Sequence, residues 1–133
     1  MNTIELKKMI SAFLITKCAK TYPYDSVPET ATLPYVTYRL ASSFPDENQV
    51  MERFTLYVDC WDNKADTTAL ETLTGNIDGD GAMTNATGLH RKKYFVDGTL
   101  QATIYREGRA ELDDEDPQIR RRQLRYEVHA YLT

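Results

Sequence analysis

The chain is predicted to be an α+β protein, a mainly antiparallel sheet with two helices on one face, in the order α-β-β-α-β-β-β. Three observations carry this. Leu6, Met9, Ile10, Phe13, Leu14 and Cys18 recur at three- and four-residue steps, the spacing of one helix face. Phe54, Leu56, Val58 and Cys60, and later Leu124, Tyr126, Val128 and Ala130, recur at every second residue, the spacing of one strand face. The 133 residues contain no repeat and no linker between compositional halves, so a single domain, 1–133, is expected.

The first helix should run from about residue 3 to 21, with Asn2 as N-cap, Glu5 three positions on, and Pro23 ending it. Pro23, Pro28 and Pro34 sit among Ser, Thr and Asp and mark a surface loop, because proline cannot donate to a helix or a central ladder. Residues 35–40, rich in β-branched and aromatic side chains, read as strand one. Residues 50–61 read as strand two, joined to it by a loop centred on residues 44–48. Asp62 or Asn63 can cap a second helix with an apolar stripe of Ala65, Ala69, Leu70, Leu73 and Ile77. The Asp97-Gly98 pair predicts a tight hairpin between strands three and four, Leu100, Ala102 and Ile104 giving the latter its inner face. The final strand alternates to the C-terminus. Flexible loops are expected near 41–49, 79–90 and 108–118, where Gly, Pro and small polar residues gather.

Composition narrows the function classes. With 41% hydrophobic and 27% charged residues the chain is of ordinary globular make-up, and its net charge of −4 gives no global field toward phosphate or anionic lipid. The longest apolar run, Ala12 to Ile15, is too short for a membrane span, which needs about 20 residues. Cys18 and Cys60 form no framework and no CxxC pair, so reduced thiols and no zinc site are expected. Residues 76–81 match the start of a calcium loop, but Thr87 stands where the bidentate glutamate belongs. His90 and His129 lie in different elements, and neither GxSxG nor HExxH occurs. No enzyme, no cofactor and no metal are expected.

What remains points to contact with other proteins. Nine tyrosines are many for this length, and tyrosine is enriched in interfaces. Tyr57, Tyr105 and Tyr131 fall opposite the apolar stripes and are candidates for a face covered by another subunit. Trp61, at the end of strand two, is expected to anchor the second helix on the sheet. Glu111, Asp113, Asp114, Glu115 and Asp116 form an acidic run, followed directly by Arg120, Arg121 and Arg122. Opposite-charge pairing within or between subunits suits both. The other reading of the basic segments, 91–93 and 120–125, is a small nucleic-acid-binding module. The alternation of the arginines and the acidic total charge speak against it.

The order and spacing of Leu33-Pro34-Tyr35-Val36-Thr37-Tyr38, of Tyr57-Val58-Asp59-Cys60-Trp61-Asp62, and of a last strand with Arg125-Tyr126-Glu127-Val128 resemble the tail-terminator family of long-tailed bacteriophages, also called tail-completion, head-to-tail joining or minor tail proteins. The resemblance spans most of the chain. It implies a non-catalytic subunit that forms a ring, typically a hexamer, caps the major tail tube protein and meets a head-completion or connector protein. It implies a place in the virion at the head-tail junction, reached by assembly in the host cytoplasm. DNA would pass through the lumen without specific binding, and no membrane is involved.

Overall fold

A computed structural model describes residues 3–45, 51–96, 98 and 100–131; Asn2, Asp97 and the 46–50 segment lie outside them. The elements are α1 (Ile4–Lys17), β1 (Thr21–Pro23), β2 (Tyr35–Pro45), β3 (Met51–Asp62), α2 (Thr68–Asp78), β4 (Lys93–Val96), β5 (Leu100–Asp113) and β6 (Arg120–Tyr131). The strands form a six-stranded sheet in the order β1-β2-β3-β6-β5-β4, antiparallel except for the β1–β2 pair. This is the predicted α+β class.

Both helices cover one face, where a single core closes. Leu6, Ile10 and Leu14 of α1 and Leu70 and Ile77 of α2 meet Leu56 and Val58 of β3, Leu100 and Ile104 of β5, and Leu124, Tyr126 and Val128 of β6. Burial of this apolar surface is the principal favourable term in folding. Among the described residues, the other face carries no helix.

Four boundaries differ from the sequence expectation, each because tertiary pairing overrides local signals. α1 ends at Lys17 rather than near 21, since Thr21–Pro23 pair in parallel with Val36–Tyr38; Thr3 stands at its N-cap position. Pro23 is thus an edge-strand residue, the sheet position proline tolerates. Residues 41–45, expected in a loop, continue β2 past an irregularity between Leu40 and Ser42. α2 starts at Thr68, not after Asp62 or Asn63: Asp66 accepts the Thr68 backbone N–H at 2.9 Å and its hydroxyl at 2.7 Å. Asp62 is buried at the end of β3, and Ala65 and Ala69 lie exposed.

The fourth difference reshapes the molecule. Residues 108–113, expected in an acidic loop, extend β5 into a long ribbon with β6, through a bulge between Arg106 and Gly108. A bulge inserts one residue and reverses which alternate side chains face the core. Before it Leu100, Ala102 and Ile104 face the helices; after it Arg109 and Glu111 do, opposite Leu124 and Arg122.

The connection from α2 to β4 closes on itself. Gly79 and Gly88 approach so closely that a Cβ on Gly88 would lie 2.3 Å from the Asp78 carbonyl carbon. Asp80 ties the two sides, accepting N–H groups from Ala82 and Thr87 at 3.1 Å, while its own N–H donates to the Thr87 hydroxyl at 3.0 Å. The Ala82 N–H, then the Thr87 N–H, hold the Asp80 carboxyl below its usual range.

Candidate functional site

On the helix side, the polar groups serve the fold. Tyr126, fully buried in β6, donates its hydroxyl to Asp78 at the end of α2 at 2.9 Å, and Arg106 donates to the other Asp78 oxygen at 2.7 Å. Burial, then the Asp78 charge, pushes the Tyr126 phenol far up. Toward the start of α2, Glu71 pairs with Arg122 at 2.5 Å and with Arg109, while Glu111 lies 3.7 Å from Arg122. The hydrogen bond from Arg122 lowers the Glu71 carboxyl despite an opposing contribution from burial. These contacts clamp α2 across the β5–β6 ribbon.

The helix-free face is different: a half-exposed field of aromatic rings and guanidinium groups. Tyr22 meets Tyr35 edge-on, Tyr35 stacks on Trp61 with centroids 6.1 Å apart, and the Arg121 guanidinium lies 4.5 Å from the Trp61 ring. Arg121 also donates to Asp59 at 3.0 Å, Gln123 donates to the same oxygen at 3.1 Å, and the Trp61 indole N–H donates to the Thr37 hydroxyl at 3.2 Å. Arg39 sits 5.2 Å from both the Tyr24 and the Tyr57 rings. All of these groups but Tyr22 line a hollow of about 300 Å³. Further along the face Tyr105 leans on His129 at 5.2 Å, His129 lies 3.1 Å from Glu127, and Arg125 lies 3.2 Å from Glu107. Rings held by cations present large rigid contact area with little side-chain entropy left to lose.

The structure distributes the sequence candidates over three places. Tyr57, Tyr105 and Tyr131 all lie on the helix-free face, Tyr105 and Tyr131 exposed. Arg121 joins them there, whereas Arg122 faces the helices and is engaged by Glu71; Arg120 donates to the Pro117 carbonyl at 2.8 Å. Asp114, Glu115 and Asp116 occupy the turn joining β5 to β6, far from Tyr131, which pairs with Gln101 at the other end of the ribbon. That turn is shaped internally: Asp114 accepts the Asp116 N–H at 3.0 Å and Asp116 accepts the Gln118 N–H at 2.9 Å.

Trp61 corrects one expectation. It lies on the helix-free face, stacked between Tyr35 and Arg121, on the side of the sheet away from the helix it was expected to anchor. The signal was present in its spacing, since Trp61 shares period-two parity with Tyr57 and Asp59. Arg39, Tyr24 and Tyr35 were missed because their grouping depends on the β2–β3 register and on the path of the loop after β1.

A second concave region lies beside β4. Arg91, Lys92 and Lys93 line a hollow of about 470 Å³ with Met83 and Asn85. An adjoining one of about 370 Å³ adds His90, Tyr105 and Arg106. Its floor is pinned: the N–H groups of Leu89 and His90 donate to Ile77 and Asp78, the Arg91 N–H donates to Ile104 at 2.6 Å, and the His90 imidazole accepts the Arg106 N–H at 2.9 Å. Among the described residues, no group of three His, Cys, Asp or Glu could hold a metal, and no helix is long and apolar enough to cross a membrane.

No protein-family model and no curated protein matches the chain. Among solved structures it is similar to a chain of the virion of native gene transfer agent (GTA) particle, with a TM-score of 0.61 and 14% identity, covering 96% of this chain and 90% of that one. At that identity the likeness is one of fold, and it extends over nearly the whole length of both chains.

Proposed function

We propose that this protein is a structural virion subunit of the tail-terminator kind, which associates with copies of itself into a ring, caps the tail tube and meets the head connector. The observation that carries the reading is the helix-free sheet face, on which Tyr35, Trp61, Arg121, Arg39 and Tyr57 are held in one aromatic and cationic field. An uncovered face of this make-up suits burial by another subunit. The full-length fold likeness to a virion chain supports the same reading, as does the resemblance of the β2, β3 and β6 segments to tail-terminator proteins. The chemistry required of such a subunit is recognition and not catalysis.

The nucleic-acid reading is disfavoured by how the arginines are used. Arg121, Arg122 and Arg125 are paired with Asp59, Glu71 and Glu107, so the 120–125 segment offers little free charge to phosphate. The test is light scattering of the purified protein across concentration, together with electron microscopy of tail tubes incubated with it. Rings in solution or density at tube ends are expected. A protein that stays monomeric at every concentration and leaves tube ends bare would exclude this role.

A further inference from the structure

Most charged groups of the β5–β6 ribbon are paired within the subunit; Arg120, opposite Asp113, makes no ion pair among the described residues and donates to the Pro117 carbonyl, and two clusters of like charge also stand unpaired. Arg91 and Lys93 are exposed and make no ion pair among the described residues. The carboxylates of Asp113, Asp114, Glu115 and Asp116 likewise meet no cation there, two of them being occupied only with backbone N–H groups of their own turn. The clusters have opposite sign and opposite positions. Lys93 pairs with Thr103 near one end of β5, and from Thr103 to Asp113 the strand runs about 33 Å at ~3.3 Å per residue. No subunit can bring its own turn to its own basic hollow.

Resting on the assembly role proposed above, we infer that the basic hollow beside β4 receives the acidic β5–β6 turn of a second copy. The hollow is concave and stitched to α2 and β5 by backbone hydrogen bonds, so it is formed before the partner arrives. The turn is also formed in advance by its Asp114 and Asp116 hydrogen bonds. Two preformed, oppositely charged shapes associate with little ordering cost. Met83, 73% exposed at the rim, adds an adaptable apolar contact. Because each copy carries one hollow and one turn on different surfaces, the contact is heterologous and propagates head to tail, which closes as a ring when the rotation permits.

The test uses two full-length charge-reversal variants, Arg91→Glu with Lys93→Glu, and Asp114→Lys with Glu115→Lys. All sites are exposed or half-exposed, and circular dichroism with thermal unfolding checks that both variants fold. Self-association is read by light scattering, or by occupancy of tail-tube ends if the free wild-type protein is monomeric. Each variant alone should associate at least tenfold more weakly than wild type, and an equimolar mixture should recover assembly, since the reversed hollow of one fits the reversed turn of the other. Variants that assemble like wild type would overturn the pairing and leave the assembly role standing. A mixture that fails to recover would also overturn it. If wild-type protein binds duplex DNA at low salt, loses it on reversal of the hollow and ignores reversal of the turn, the hollow is a phosphate site and the pairing is wrong. A wild-type protein that associates in neither setting fails both proposals.

Discussion

Arg122 has a side chain only 9% exposed, and its charge is tolerable there because Glu71 on α2 meets it at 2.5 Å. Removing that carboxylate in Glu71→Gln leaves the guanidinium short of its partner, and the expected cost is about 1.5–3 kcal/mol in chemical unfolding. The pH dependence follows from sign. The Glu71 carboxyl is lowered in the folded state, so its contribution is present above the ordinary carboxylate range and is lost as pH falls through the lower folded value. Wild-type stability should therefore fall on acidification through that window, and the Glu71→Gln curve should be flatter. Cys60 gives a second check at this scale. Burial, partly offset by a hydrogen bond with Thr74, pushes its thiol up to about 12, so at pH 8 it is neither ionised nor accessible. A thiol-reactive dye should modify half-buried Cys18 in native protein and Cys60 only after denaturation.

At the scale of elements, two glycines with opposite surroundings predict opposite outcomes. Gly75 lies exposed within α2, and a Cβ added there would meet nothing within 4 Å, so Gly75→Ala should stabilise by about 0.5–1 kcal/mol through helix propensity. A Cβ added at Gly88 would lie 2.3 Å and 2.4 Å from the Asp78 carbonyl carbon and oxygen, and backbone has nowhere to move. Gly88→Ala should destabilise by about 1–3 kcal/mol and speed hydrogen exchange at Leu89 and His90, whose N–H groups bond to Ile77 and Asp78 across that contact. Glycine-rich composition marked 79–90 as irregular backbone, but the closeness of Gly79 to Gly88 is a property of the folded chain. The β5 bulge was equally hidden. Gly108 looked like the start of a loop, whereas pairing with β6 carries the chain through it and places Arg109 beside Glu71.

For the whole molecule, the relevant quantity is how charge and aromatic area are divided between faces and ends. Arg39 lies between Tyr24 and Tyr57 at the surface, where each cation–π contact contributes about 0.5–1 kcal/mol. Arg39→Ala should therefore change the stability of the isolated subunit by no more than about 2 kcal/mol, while weakening association on the helix-free face by a larger factor, measured by sedimentation or light scattering. Contacts between free charges at the ends of the β5–β6 ribbon should be salt-sensitive. Raising ionic strength from 0.1 M to 1 M shortens the screening length from about 10 Å to about 3 Å, so assembly should weaken across that range while subunit folding changes little.

The period-two and helical spacings determined the class of the protein, the inner faces of β3 and β6, and most of the core, although Ala65 and Ala69 of the expected helical stripe lie exposed and Leu89 joins the core from a segment expected to be a loop. They suffice because burial acts on every residue of a stripe at once and local neighbours cannot reverse it. They also identified Tyr57, Tyr105 and Tyr131 as residues of the outer face. What only the tertiary structure decided is which charges are spent. Arg120, Arg121 and Arg122 read in sequence as one basic run beside one acidic run, yet strand alternation sends Arg121 to Asp59 and Arg122 to Glu71, residues distant in sequence. The bulge adds Arg109 to the helix side, and Arg91 and Lys93 are left without an ion pair among the described residues, beside a hollow that no local pattern announces. Burial is a sum over a residue's own type and period, and so it is legible along the chain. Pairing depends on register and on contacts across the sheet, and it exists only once the strands have met.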